Sequence, residues 1–211
     1  MPVKTDREYR KFEGVELRKS EDGRMVVEGY ATTFDQPYYL MGDDKITINE
    51  QVDRHAFDET DMSDVIMQYD HEGRVFARIS NGTLTLEDDD HGLKIAADLG
   101  GTDIGRQLYQ EIEGGYTNKM SFGFTVTADK KTRTKDENGH ITVLRTITKI
   151  GKLYDVSAVS LPANDATEIS ARSTGNGLIV EAMKEIQAEE ERARRIEEIR
   201  NILKGDQNHD A

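Results

Sequence analysis

The chain has no cysteine. That excludes disulfides, thiol nucleophiles, iron–sulfur clusters and cysteine-ligated zinc. It fits a reducing cytoplasm or a place where redox does not matter. Only three prolines occur, Pro2, Pro37 and Pro162. The 18 glycines are spread as turn punctuation rather than gathered into a low-complexity linker. No apolar run approaches the roughly 20 residues that a membrane-spanning helix needs. The opening Met1-Pro2-Val3-Lys4-Thr5-Asp6-Arg7 has no apolar segment of the secretory kind. Basic residues are also scarce: 28 Lys and Arg stand against 41 Asp and Glu, a net charge of −13. Unaided nucleic-acid binding needs a basic footprint, and attachment to an anionic membrane needs one too. Neither nucleic acid nor membrane is therefore expected as a partner.

What is present is one domain's worth of core and something extra. The 211 residues are 36% hydrophobic and 33% charged, so the core must be economical and part of the chain well solvated. A domain of about 150 residues still hides roughly two-thirds of its unfolded surface.

The first part reads as strands. Met25-Val26-Val27 leads into Tyr30-Ala31-Thr32-Thr33-Phe34, rich in β-branched and aromatic residues. Gly29 interrupts it, as a bulge or a close backbone approach would. Ile46-Thr47-Ile48 is a short strand. Asp64 to Tyr69 is another, whose unbroken Val65-Ile66-Met67 run suggests burial on both faces. Thr83 to Leu86 and Leu93 to Ala96 flank an acidic turn and form a hairpin.

A helix follows. Thr102 or Asp103 caps it, Ile104, Leu108, Tyr109 and Ile112 make its apolar stripe, and Gly114-Gly115 ends it. Met120 to Thr127 then alternates large and small. Its partner is Ile141 to Ile150, and Leu153 to Leu161 makes a last strand ended by Pro162.

From Leu178 to Lys204 there are seven Glu, six Lys and Arg, and no Gly or Pro. Ile179, Met183, Ile186, Ala193, Ile196, Ile199 and Leu203 mark a helical face, so the segment reads as a long charged amphipathic helix. Ser173-Thr174-Gly175-Asn176-Gly177 forms a flexible joint before it, and Gly205 to Ala211 a disordered tail. The expected organisation is a compact domain over 1–172 and an appendage over 173–211.

Without cysteine, chemistry falls to Ser, Thr, His and carboxylates. His91 and His140 sit at polar turns and read as solvated, and His209 lies in the tail. His55 and His71 remain. His71 ends an apolar strand, where a histidine near solvent is the commoner outcome. His55, His71, Asp53 and Asp70 could be assembled into a metal site only on paper, since no ligand spacing supports one. Ser121 lies in Met120-Ser121-Phe122-Gly123-Phe124 and shares a strand face with Gly123 and Thr125. Gly123 leaves space on that face, for a substrate or for a close neighbouring strand. Asp155 lies inside the apolar stretch Leu153 to Val159, and a buried carboxylate needs a partner. That partner is either a basic residue or a histidine, which the carboxylate would orient.

These stretches together resemble the tailed-phage prohead proteases, capsid-maturation serine proteases related in fold to herpesvirus assemblins. Met25 to Phe34 looks like the family's opening strand, Val52 to Phe57 its next segment, and Asp88 to Ala96 its hairpin. His71 falls where the family has a catalytic histidine. Met120 to Phe124 is similar to its nucleophile strand, and Leu153 to Asn164 to the segment that follows. The likeness covers roughly residues 12–172. It departs at His55, where the family tends to have glycine, and after His71, where Arg74 and Arg78 both remain candidates for a family arginine.

The resemblance implies an α+β fold: a mostly antiparallel, herpesvirus-protease-like β-barrel with flanking helices, joined here to the long C-terminal charged helix. It implies a serine endopeptidase with Ser121 as nucleophile, His71 as base and Asp155 as the acidic third member, needing no metal or organic cofactor. Its substrates would be the phage major capsid protein and scaffold protein, and the enzyme itself. It would act inside the assembling prohead in the host cytoplasm, as a homodimer by analogy with the herpesvirus relatives. The alternative is a non-catalytic scaffold or assembly protein that keeps the fold and uses the C-terminal helix.

Overall fold

The computed structural model describes residues 7–13, 15–16 and 24–159, together with 184, 188, 191–192 and 194–200; at 11–13 and 15–16 only the backbone is described. The fold is α+β and strand-rich. The strands are β1 (Arg7–Glu13), β2 (Val15–Glu16), β3 (Val26–Thr33), β4 (Tyr38–Gly42), β5 (Ile46–Val52), β6 (Ile66–Tyr69), β7 (Glu72–Arg78), β8 (Leu84–Asp88), β9 (Gly92–Asp98), β10 (Lys119–Lys135) and β11 (Ile141–Val159). Helix α1 spans Asp103–Glu113.

Two sheets form. One runs β1-β10-β11-β5-β4, with β6 joining β11 and β7 joining β6; the other runs β2-β3-β9-β8. The expected closed barrel is not found among the described residues, and the flanking helices reduce to α1 and a single 3₁₀ turn at Ile79–Asn81. Closure fails because β11 spends both its edges inside one sheet. One edge pairs antiparallel with β10 along most of its length. The other is shared in parallel by β5 at residues 141–147 and β6 at 155–158. Between them the loop after β5 fills the edge: Ile150 N donates to Ala56 O (2.9 Å), Asp61 N to Gly151 O (3.0 Å) and Leu153 N to Asp61 O (3.1 Å). With both edges engaged, β11 runs unbroken where the sequence suggested two strands.

The main core lies where the two sheets and α1 meet. Val27, Leu93, Ile95 and Leu84 come from the smaller sheet, Met67, Met120, Phe122, Phe124 and Val156 from the larger, and Leu108, Tyr109 and Ile112 from the helix. Helix α1 starts as expected at Thr102, whose side chain accepts from Gly105 N (3.1 Å). Within β3 the irregularity falls between Tyr30 and Thr32 rather than at Gly29. His140 is half-buried rather than solvated, because its ring bridges to Thr47 Oγ1 (2.9 Å) and Asp44 O (3.2 Å). The long C-terminal helix is not supported as a unit. Residues 194–200 are helical and exposed, while most of 178–204, the joint at 173–177 and the tail lie outside the described residues. Among the described residues no helix is long and apolar enough to cross a membrane.

Strand β1 and the tyrosine-bearing β4 do not announce themselves by apolar alternation. Strand β1 is held by charge. Arg10 donates to Glu50 through both Nε and Nη2 (the latter 2.9 Å) and to Glu8 (2.5 Å). Arg145 donates to Glu8 Oε2 (2.8 Å), Glu50 Oε2 (2.8 Å) and Asp129 (2.6 Å). Tyr38 adds its hydroxyl to Glu50 (2.6 Å). Glu8, Arg10, Glu50 and Arg145 are all buried. Such a cluster is tolerable because every charge has an opposite neighbour and directional hydrogen bonds. Burial alone would push the Glu50 carboxyl up, but the charges of Arg10 and Arg145 and the bond from Arg10 outweigh it and hold it below its ordinary value of 4.5.

A group whose folded pKa is depressed contributes stability above its unfolded pKa, which is lost as pH falls through the folded value. Glu50→Ala is therefore expected to lower the unfolding free energy at pH 7 by about 3 kcal/mol, the cost of removing one partner from a buried ion cluster whose guanidiniums keep only the carboxylates of Glu8 and Asp129. Denaturant titrations should show the gap between wild type and variant narrowing once the pH falls below 4.5.

Candidate active site

The antiparallel register of β10 on β11 places Ser121 opposite Ser157 and Gly123 opposite Asp155. Because side chains alternate along a strand, these four residues share one face. Met120, Phe122 and Phe124 take the other face and lock it into the core. A bulge between Gly123 and Phe124 leaves Tyr154 as the extra residue on β11, and such bulges re-aim the neighbouring side chain. Asp155 follows Tyr154 directly.

His71 arrives from a different pair of strands. Strands β6 and β7 are joined by Asp70 and His71 alone, since Tyr69 pairs with Glu72. Both loop residues have positive φ, 47° and 61°. That is the pattern of a two-residue turn of the primed hand, which usually takes Asn or Gly. Neither residue here is glycine, so the turn carries backbone strain of the kind that collects at functional sites. The turn is tied to β11, where Asp70 N donates to Ala158 O (3.0 Å), and β6 itself pairs with β11 over Asp155–Ala158. His71 is thereby held over the Ser121–Asp155 face.

The structure brings the three expected residues together. His71 Nε2 is 2.5 Å from Ser121 Oγ, and His71 Nδ1 is 2.5 Å from Asp155 Oδ1. Asp155 Oδ1 also accepts from Ser157 Oγ (2.9 Å). Asp155 is 1% exposed and Ser121 has no exposed surface, while the His71 side chain keeps 14%. The other carboxylate oxygen, Oδ2, lies 3.9 Å from Arg7 Nη1. The arrangement can pass a proton from a hydroxyl to an imidazole whose far nitrogen faces a carboxylate.

The space beside Ser121 is explained by Asp155. A Cβ added at Gly123 would fall 2.4 Å from Asp155 Oδ2 and 2.8 Å from Tyr9 Cε1. The room is used by the carboxylate and a neighbouring strand, not held open for a substrate. The other candidate residues lie apart from the site. His55 is exposed and pairs with Asp58 (3.2 Å), so it does not join His71. Arg78 pairs with Asp64 at the surface. Sequence reasoning did not single out Ser157, although its place two residues after Asp155 puts it on the same strand face. It also missed Tyr9 and Arg7, which lie before the stretch that carries the family resemblance.

A Ser–His–Asp arrangement on the face of a sheet is the geometry that serine hydrolases of unrelated folds share. The caudovirus prohead serine protease family matches residues 13–179, and the chain belongs to that family. That family is one of serine peptidases of phage capsid maturation, which gives capsid proteins as the general class of substrate and the assembling capsid as the place of action. No curated protein and no solved structure matches the chain.

Gly123→Ala is expected to destabilise the fold by about 1–3 kcal/mol, the usual cost of overpacking. It should also displace Asp155 from His71. Urea unfolding checks the first effect, and the His71 imidazole resonances, compared with wild type, check the second.

Proposed function

We propose that the chain is a serine endopeptidase in which Ser121 is the nucleophile, His71 the general base and Asp155 the residue that orients the imidazole. The observation that carries this reading is the continuous relay through one ring: Nε2 at 2.5 Å from Ser121 Oγ, Nδ1 at 2.5 Å from Asp155 Oδ1. Ser121 Oγ attacks the scissile carbonyl carbon as His71 Nε2 takes its proton. The C–N bond then breaks, and Nε2 returns the proton to the leaving amine, leaving an acyl-enzyme. Water attacks the ester, gives a proton to His71, and frees the acid as Ser121 is reprotonated. Asp155, with one oxygen fixed by Ser157, keeps the Nδ1–H tautomer and offsets the charge of the imidazolium. The oxyanion calls for N–H donors, expected from the backbone. No cofactor takes part in these steps.

The substrates in this proposal are the major capsid protein, the scaffold protein and the protease itself, cut inside the prohead by a homodimer. The joint at 173–177 would be a self-cleavage point and the charged segment after it a docking element. Deleting residues 173–211 should then reduce packaging into capsids, counted as protease copies per prohead by quantitative mass spectrometry. Unchanged packaging would remove the docking role.

One observation favours the second reading, a non-catalytic assembly protein on the same fold: Ser121 has no exposed surface. A scissile peptide reaches it only if its cover opens. Co-expression with the neighbouring capsid and scaffold proteins separates the two, with products read by intact mass. Defined fragments are expected with wild type and none with Ser121→Ala. A fluorophosphonate should block the cleavage and a chelator should not. Fragments that persist in Ser121→Ala would assign the cutting to another group, and no cutting by either protein would favour the assembly role.

A further inference from the structure

Strand β1 has two faces with different work. Glu8 and Arg10 point into the buried ion cluster with Glu50 and Arg145. Tyr9, between them, points the opposite way, as strand alternation requires. It pairs with Gly123 in register, and its ring lies 4.4 Å from the His71 imidazole, tilted by 59°. Gly123 is what admits it, since a Cβ there would fall 2.8 Å from Tyr9 Cε1.

The His71 ring needs such a neighbour. Its two hydrogen bonds leave from Nδ1 and Nε2, both in the ring plane. They fix where the two nitrogens lie. They restrain only weakly a rotation of the ring about the line that joins Ser121 Oγ to Asp155 Oδ1, because it leaves both N···O distances unchanged; what it alters is the approach of the ring to the lone pairs of the two oxygens. A side chain packed against the ring, as Tyr9 is, opposes it. The turn that carries His71 is tied to β11 through Asp70 N, which fixes its backbone but not the plane of the ring.

We propose that Tyr9 is a positioning residue, whose ring holds the His71 imidazole in line between Ser121 and Asp155. The proposal rests on the protease reading above for its catalytic consequence, and on geometry alone for its structural one. The ring, not the hydroxyl, carries the role. The hydroxyl's contact is Arg7 Nη1 at 3.5 Å, at the outer limit of a hydrogen bond. The ion cluster on the opposite face makes Tyr9 a fixed wall, because withdrawing β1 would leave Glu50 and Arg145 buried with fewer counter-charges. Residues 7–12 precede the stretch matched by the family, so this chain's own N-terminal strand supplies the wall.

The test uses the full chain with Tyr9→Phe, Tyr9→Leu and Tyr9→Met, each checked for an unchanged thermal midpoint. The readout is the labelling of Ser121 by a fluorophosphonate probe, split into the maximal rate and the half-saturating concentration. Loss of positioning should lower the maximal rate by about 10- to 100-fold, as small misplacements of reacting groups do. That loss is expected in Tyr9→Leu with the half-saturating concentration unchanged, and Tyr9→Phe should restore the wild-type rate. Wild-type rates in Tyr9→Leu would overturn the proposal, as would Tyr9→Phe reacting as slowly as Tyr9→Leu. If Tyr9→Leu does not fold, Tyr9→Met carries the same comparison.

If the wild type itself does not react, the protease reading has failed. The positioning claim is then decided by the imidazole ¹⁵N resonances of His71. Two distinct nitrogens in wild type and Tyr9→Phe that average in the leucine or methionine variant would support it. Identical spectra in all variants would overturn it.

Discussion

The register of β10 against β11 is the constraint on which the rest of the molecule depends. It sets Ser121 beside Ser157 and Gly123 beside Asp155. A slip of β10 by one residue would turn Ser121 into the apolar core, away from Asp155, and send Phe122 out to the site face. The burial of Met120, Phe122, Phe124, Val156 and Ala158 therefore does two things at once. It stabilises the sheet, and it forbids any other placement of the reactive groups. The site is a consequence of the core's alternation read from the opposite face.

Every other contributor reaches the site by attaching to this pair. Strand β6 adds to β11 and carries the His71 turn. Strand β1 adds to the free side of β10 and brings Tyr9. The buried charges below β1 serve the same end. An ion cluster stabilises less than an apolar one of equal volume would, because of desolvation. It is directional, however, and fixes the register of a strand whose own sequence has too little apolar alternation to do so.

Two of the three non-glycine residues with positive φ among the described residues sit at the candidate site. Asp70 and His71 both occupy the left-handed region, and Gly123 stands where any side chain would collide with Asp155. Each is unfavourable or restrictive locally. Together they let a histidine from one hairpin and a carboxylate from a bulged strand converge on a serine without a loop long enough to wander.

Much of this was legible in the chain itself. Period-two alternation over Met120–Thr127 put Ser121 and Gly123 on one face, because a strand has no other way to arrange successive side chains. An isolated Asp155 among apolar neighbours called for a partner, since an unpaired buried charge is too costly. The cap at Thr102 and the stripe of α1 followed from helix geometry. What the sequence could not decide was anything set between distant segments. Parallel addition of β5 and β6 to β11 opened the expected barrel into a sheet, because strand order depends on edges that only the assembled chain possesses. The half-buried His140 and the inward Glu8 and Arg10 look like surface residues until their partners arrive from β5 and β11. Local periodicity reports which face a residue takes; which residues meet across that face is decided by the tertiary structure, where the opposing charge, ring or hydrogen-bond donor is supplied by another strand.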